Sequence, residues 1–436
     1  MTGPRVDVHC HYIPPTLLEL IEAEGAAHSI ALTNDGRVSF AGRVETQAFP
    51  HGMVDLDARL AWMNEEGIDV QVLSSWMDFS AYALDAEDGA WLARALNELT
   101  ASAIEPRAER LRAMAAVPLQ APELAAEELR FAIEELGMVA VEIATSVVEA
   151  ELDDPALEPF WDAAEALDAV VLVHPFASIG SERLGRYFLN NIVGNPAEET
   201  VAAAHLLYGG VLERHPRLRV CLTHGGGFLP YQIGRQDRGY EALPRLTAAR
   251  LSEPPSSSLR RFYYDTVVHG AEALRFLVAR VGADRVLLGS DYPFPMGDPH
   301  PVATVRAAGL EIDDESAILG RNAVAALDLA AAPPGSDENR RQGMEHSFLA
   351  HDDADDVGVA VRDVARGSDV VVAYLKGGSS LTLTALGDIP LGHKIALRDL
   401  EQDAEVLKYG IPIGRATQRL RAGDYVHTHN LRSARW

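Results

Sequence analysis

The sequence predicts an α/β chain that closes into a (β/α)8 barrel and then continues into a small all-β domain. Three observations carry this reading: eight short runs rich in β-branched residues and leucine, amphipathic stretches between them, and a change of composition near residue 330. Strands buried on both faces read as near-continuous apolar runs, and their alternation with helical stretches is the pattern of parallel βα units.

In chain order the runs lie at residues 5–11, 70–75, 111–118, 138–143, 170–174, 218–224, 262–266 and 286–291. Amphipathic stretches at 56–66, 91–105, 121–136, 155–167 and 198–214 read as crossover helices. Asn322 opens the last barrel helix, so the barrel is expected over 1–329. Residues 330–345, rich in Ala, Pro and Gly and then in charge, read as a linker. From 346 to 436 short β-rich runs follow, at 357–361, 370–375, 381–386, 394–397 and 425–429, broken by Gly, Asp and Pro.

A formal charge of −26, from 38 basic and 64 acidic residues, argues against a nucleic-acid partner. No stretch is long and apolar enough for a signal peptide or a membrane span, and the expected location is cytoplasmic. Two cysteines, Cys10 and Cys221, each fall within an expected strand. They read as buried thiols, with Cys10 facing away from the site described next.

Four strand ends carry titratable residues: His9 and His11, His174, His224 and Asp291. Side chains at i and i+2 of a strand share a face, so His9 and His11 can ligate one ion together. Parallel barrels gather active sites at the carboxyl ends of their strands, which brings the other three to the same place. His9, His11, His174 and Asp291 then form the donor set for one divalent metal ion, with zinc favoured by three imidazoles. His224 is the spare imidazole, suited to proton transfer, and the glycines after it allow close backbone approach. Glu142 reads as an ordinary strand carboxylate, although it keeps a second metal open; no lysine stands at 138–146 to bridge two ions.

Two further residues have alternative readings. Arg235 is either a carboxylate clamp, through its guanidinium fork, or a solvated surface arginine. Trp76, in the stretch Trp76-Met-Asp-Phe79-Ser-Ala-Tyr82, is either pocket wall or core.

The motifs Asp7-Val-His9-Cys-His11, Val173-His174-Pro, Thr223-His224-Gly-Gly-Gly-Phe-Leu-Pro-Tyr-Gln-Ile-Gly-Arg235 and Gly289-Ser-Asp291-Tyr-Pro-Phe-Pro jointly resemble the amidohydrolase-2 branch of the amidohydrolase superfamily. The nearest subgroup is that of aminocarboxymuconate-semialdehyde decarboxylase, and the resemblance spans residues 1–329. It implies a TIM barrel and non-oxidative decarboxylation of a small aromatic or conjugated carboxylic acid without an organic cofactor. The positions of His9, His11, His174 and Asp291 hold zinc or manganese in that family, and the position of His224 handles protons. Arg235 is implied to bind the substrate carboxylate, reaching into a neighbouring subunit of a homodimer. The same shell suits a lactonase or a hydratase, and relatives in this branch do those reactions.

Residues 346–432 resemble a second family. Asp355-Asp-Val-Gly-Val-Ala-Val-Arg-Asp, Ile389-Pro-Leu-Gly-His393-Lys-Ile-Ala-Leu, Lys408-Tyr-Gly-Ile-Pro-Ile-Gly-Arg-Ala-Thr417 and Val426-His427-Thr-His429-Asn430 are similar to the SAF, or β-clip, module of altronate and galactarate dehydratases. Such modules usually accompany a large lyase domain, which this chain lacks. A large lyase subunit is therefore an implied partner, with the chain as a scaffold for the module as the non-enzymatic alternative. His427 and His429 repeat the HxH spacing and read either as strand-end polar residues that fix the β-clip fold or, with His393 or His351, as another metal or acid-binding site.

Overall fold

The computed structural model describes residues 3–42, 44–80, 82–176, 179–247, 251–329, 346–351, 354–360, 363–374, 380–408 and 411–433. The stretch expected as a linker, 330–345, lies outside them, as do the expected strand ends at 361 and 375. The chain divides into two compact units, Met1–Pro333 and Pro334–Trp436.

In the first unit eight strands form one sheet in sequential order: β1 (Val6–His11), β2 (Val70–Ser74), β3 (Leu111–Ala115), β4 (Ala140–Ala144), β5 (Val170–His174), β6 (Arg219–Leu222), β7 (Phe262–Asp265) and β8 (Val286–Leu287). Neighbours along this order pair in parallel. The sheet closes on itself, because the Val8 amide donates to the Leu288 carbonyl (2.9 Å) and the His11 amide to the Tyr292 carbonyl (2.7 Å). Expected and observed strands agree in number and order. β8 is shorter than its run because the chain beyond Leu287 leaves β7 and bonds to β1, with the Asp291 amide donating to the His9 carbonyl at 2.7 Å.

Local chemistry sets the helix ends. Asp55 caps the helix Leu56–Glu66 by accepting from the Asp57 and Ala58 amides, and Gly67, at φ 70°, ends it in the left-handed region. The stretch expected as one helix over 198–214 is two, Asn195–Tyr208 and Val211–Arg214. They part at Gly209 and Gly210, where Gly210 has φ 71° and a Cβ on Gly209 would stand 2.1 Å from Asp153.

Buried Asp7 fastens β1 to both neighbours. Its carboxylate accepts from Gln71 Nε2 (2.7 Å), Ser290 Oγ (2.6 Å) and the Ser290 amide (3.0 Å). Val72, Met114, Val170, Leu172, Cys221 and Leu287 cluster with Ala323, Ala326 and Leu327, while Leu129, Phe160, Trp161, Leu206 and Leu274 belong to the larger core beneath the helices. Both cysteines are buried free thiols.

The described strands of the second unit make two sheets. Six strands order as β12 (Ser380–Thr384), β11 (Asp369–Tyr374), β9 (His346–Ala350), β10 (Val357–Ala360), β13 (Lys394–Ala396) and β16 (Tyr425–Val426). Three more form β14 (Glu405–Lys408), β15 (Ile411–Ala416) and β17 (Leu431–Ser433). Phe348, Val372 and Ile395 centre one core, and Val357, Val406 and Leu420 the other. The sequence runs did not mark β9, β14, β15 or β17; Pro412 and Gly414 interrupt β15, and β14 is half polar.

Candidate metal centre

β1 brings His9 and His11 to one end of the barrel, although not by plain alternation alone. Asp7 pairs with Gln71 and Cys10 with Leu73, so three steps of β1 face two of β2 and the strand carries a one-residue bulge. β5 ends in His174, the turn His224–Gly226 follows β6, and Asp291 follows β8. One ligand atom from each of His9, His11, His174 and Asp291 lies within 4.8 Å of all the others.

Each imidazole is aimed by its Nδ1. His9 Nδ1 donates to Asp265 Oδ2 (2.5 Å), His11 Nδ1 to the Ser75 carbonyl (2.8 Å), and His174 Nδ1 to the Pro175 carbonyl (2.8 Å). The acceptors place a proton on each Nδ1 and turn each Nε2 toward the site. Burial opposes charge on His11, but its hydrogen bond to Asp291 and the nearby Glu142 raise its pKa, so ligation requires its Nε2 to give up a proton. Asp291 Oδ1 is 3.1 Å from His11 Nε2 and 3.5 Å from His9 Nε2.

The set fits a divalent ion on three grounds. His9 Nε2 is buried and has no hydrogen-bond partner among the described residues. The His9, His11 and His174 ring centroids are 5.0–5.2 Å apart. Imidazoles bound tetrahedrally at about 2.0–2.1 Å place their centroids roughly 5 Å apart. The electrostatics also suit ligation: burial, then the neighbouring His11, His9 and His224 rings, hold His174 well below the usual imidazole range, so it stays neutral. Burial opposes charge on Asp291, but hydrogen bonds from His11 and His224 keep its carboxyl well below the usual range.

His224 stands beside these groups, its ring 5.2 Å from that of His9 and 5.5 Å from that of His174. Its Nδ1 donates to Glu199 Oε1 (2.9 Å), and its Nε2 is 3.9 Å from Asp291 Oδ2. Burial works against charge on His224, yet Glu199 and Asp291 raise its pKa well above the usual value. Burial likewise pushes Glu199 up to about 7, so the pair retains a proton at neutral pH. His224 and Asp291 have φ of 47° and 59°, left-handed values that cost non-glycine residues energy and cluster at functional sites.

Glu142 lies on the other side of His11, its Oε1 3.8 Å from His11 Nδ1 and accepting from Ser74 Oγ at 2.9 Å. It is outside the four-residue ligand group. Trp76 is 7% exposed and packs in an aromatic row: its ring is 5.6 Å from Phe294, which is 5.2 Å from His11. Arg235 is exposed on the helix Leu229–Ala242 and forms no ion pair among the described residues.

Asp265 and Glu199 escaped sequence reasoning. Asp265 ends an expected strand, as the ligands do, and the same strand-end rule applied to 262–266 finds it. Glu199 sits mid-helix beside another glutamate and carries no local signal.

A closed parallel barrel with imidazoles and a carboxylate converging at its strand ends defines a barrel metalloenzyme. The chain belongs to the amidohydrolase family, whose model matches residues 6–329, while residues 346–434 match the altronate/galactarate dehydratase SAF domain. It is similar to 2-amino-3-carboxymuconate-6-semialdehyde decarboxylase of Dictyostelium discoideum, 34% identical over 300 residues, covering 68% of this chain and 84% of that protein. Gamma-resorcylate decarboxylase of Rhizobium sp. (strain MTP-10005) is 30% identical over 266 residues, covering 56% and 79%.

Solved structures share the barrel fold. The 5-carboxyvanillate decarboxylase of Sphingomonas paucimobilis superposes with a TM-score of 0.65 at 24% identity, over 74% of this chain and 99% of that one. A dihydroxybenzoic acid decarboxylase from Polaromonas sp. JS666, with bound manganese, gives 0.64 at 23% identity, over 77% and 99%. No helix among the described residues is long and apolar enough to cross a membrane.

Proposed function

We propose that this enzyme catalyses metal-dependent, non-oxidative decarboxylation of a small aromatic or conjugated carboxylic acid, with His9, His11, His174 and Asp291 holding one divalent ion. Three imidazole donors favour zinc, and manganese is the alternative suited to the carboxylate. The observation that carries the reading is the fourth imidazole, His224, kept out of the ligand group and backed by buried Glu199 at 2.9 Å. When bound, the ion supplies positive charge that orients the acid and stabilises negative charge as it develops.

His224 manages the proton. From Nε2 it protonates the carbon that bears the carboxylate; the bond to the carboxyl carbon then breaks, its electron pair returns to the conjugated system, and carbon dioxide leaves. Asp291, 3.9 Å from that nitrogen, keeps the imidazolium oriented, and Glu199 holds the opposite edge of the ring. Phe294 and Trp76 supply an apolar wall that suits a flat substrate. Arg235 takes the substrate carboxylate of a second copy in a homodimer. Its exposure, with Tyr231 of the same helix 73% exposed, supports that role.

The test is mass spectrometry of metal-loaded protein with mixed aromatic acids, muconate-type acids and sugar lactones, against a chelated control. Products lighter by carbon dioxide are expected, and His224→Ala should lower kcat by about 10²–10⁴-fold with the metal content unchanged. Products that have gained water would overturn the reading in favour of a hydratase or lactonase.

A further inference from the structure

The second unit gathers aromatic nitrogen ligands of its own. β13 and β16 are antiparallel, with Lys394 opposite Val426 and Ile395 opposite Tyr425. Continuing that register by one step sets His393 across from His427, where the chain leaves the strand for the turn His427–Asn430. The rings agree: His393 lies 5.1 Å from His427 and 5.6 Å from Tyr425, and His429 lies 5.5 Å from Tyr425.

We propose that His393, His427 and His429 form a second metal site, on the second unit, for a divalent ion of the kind imidazole favours, such as zinc, nickel or cobalt. The 5.1 Å between the His393 and His427 rings falls within the 5.0–5.2 Å spacing of the barrel ligands. Here hydroxyl groups, rather than the carboxylate and carbonyls of the barrel, stand at Nδ1. His393 Nδ1 bonds Tyr425 Oη at 2.7 Å and His427 Nδ1 bonds Thr428 Oγ1 at 3.0 Å. In the tautomer with the proton on Nδ1, those oxygens accept it and each Nε2 keeps its lone pair.

The turn that carries the histidines is braced from within. Buried Asn430 accepts from the His427 amide (2.9 Å) and donates to the Tyr425 carbonyl (2.8 Å). His429 stands farther off, 6.3 Å from His427, and the three rings do not share the 4.8 Å ligand spacing of the barrel group; His429 is exposed, so binding requires its side chain to rotate toward the other two.

Equilibrium dialysis of the full chain against zinc, with metal counted by plasma mass spectrometry, tests the site. Two ions per chain are expected, falling to one in the double variant His393→Ala with His427→Ala. One ion should also persist when the barrel is disabled by His9→Ala with His11→Ala, so the two sites are read separately. Tyr425→Phe should weaken the second ion's binding about tenfold, as loss of an orienting hydrogen bond does. A single ion per chain in the unaltered protein would overturn the proposal. So would a second ion whose affinity is unchanged in His393→Ala, since an exposed His427 and His429 pair would then suffice.

Discussion

Asp265 stands behind His9, a proposed ligand, and sets how its ring is held. Its carboxylate accepts three hydrogen bonds, from His9 Nδ1 at 2.5 Å, the Gly225 amide at 2.9 Å and the Val267 amide at 3.1 Å. An asparagine there must turn its amide nitrogen toward at least one of these donors. Asp265→Asn is therefore expected to weaken metal binding by about 10–100-fold, measured by competition with a chelator of known affinity. An unchanged affinity would reduce Asp265 to a brace of the fold. A second carboxyl, Asp78, sits in the loop after β2, where burial pushes it up from 3.8 to about 6. A carboxyl so raised binds its proton more tightly when folded. The stability it lends is complete below pH 4 and is lost as pH rises through 6. Asp78→Asn should thus raise the unfolding free energy at pH 8 by on the order of 1 kcal/mol and leave it unchanged at pH 4, as seen in denaturant titrations at the two pH values. Of the residues at the site, those with a strand-end signature were legible, and Glu199, placed by packing of a distant helix, was not.

Among the elements, the turn after β6 has little freedom. Gly227 has φ 60°, and a Cβ there would stand 2.0 Å from the Pro196 carbonyl oxygen at the start of the helix that carries Glu199. Gly227→Ala must push that helix away from His224. A loss of at least about 2 kcal/mol in stability is expected from the clash and the left-handed backbone together, with kcat falling as the Glu199 bond lengthens. Calorimetry and steady-state kinetics on one preparation would separate the two effects. Strands were the elements best read from sequence, because a strand buried on both faces must be apolar nearly throughout. The helix over 198–214 was read as continuous because its periodicity does persist; Gly209 and Gly210 break it where Asp153 comes within reach. The bulge in β1 left no trace in the pattern, since it depends on pairing with β2.

For the whole molecule, an ion held by the proposed ligands would tie together strand ends that lie up to 282 positions apart, from His9 to Asp291. Removing it should lower the barrel's thermal transition. At 100–1,000 times the dissociation constant, a ligand bound only by the folded state adds about 3–4 kcal/mol. Scanning calorimetry of chelated and reloaded protein should show that shift, and a His9→Ala variant should not. The sequence by itself determined the number and order of the barrel strands, the change to an all-β second unit and the residues proposed as ligands, because each is written in local periodicity and in what ends each run. Tertiary structure alone decided that β8 turns onto β1, that Asp265 and Glu199 stand behind His9 and His224, and that His393 faces His427. Those partners are separated along the chain by 256, 25 and 34 residues; tertiary packing brings the first two pairs within hydrogen-bond distance and the third to 5.1 Å between ring centres.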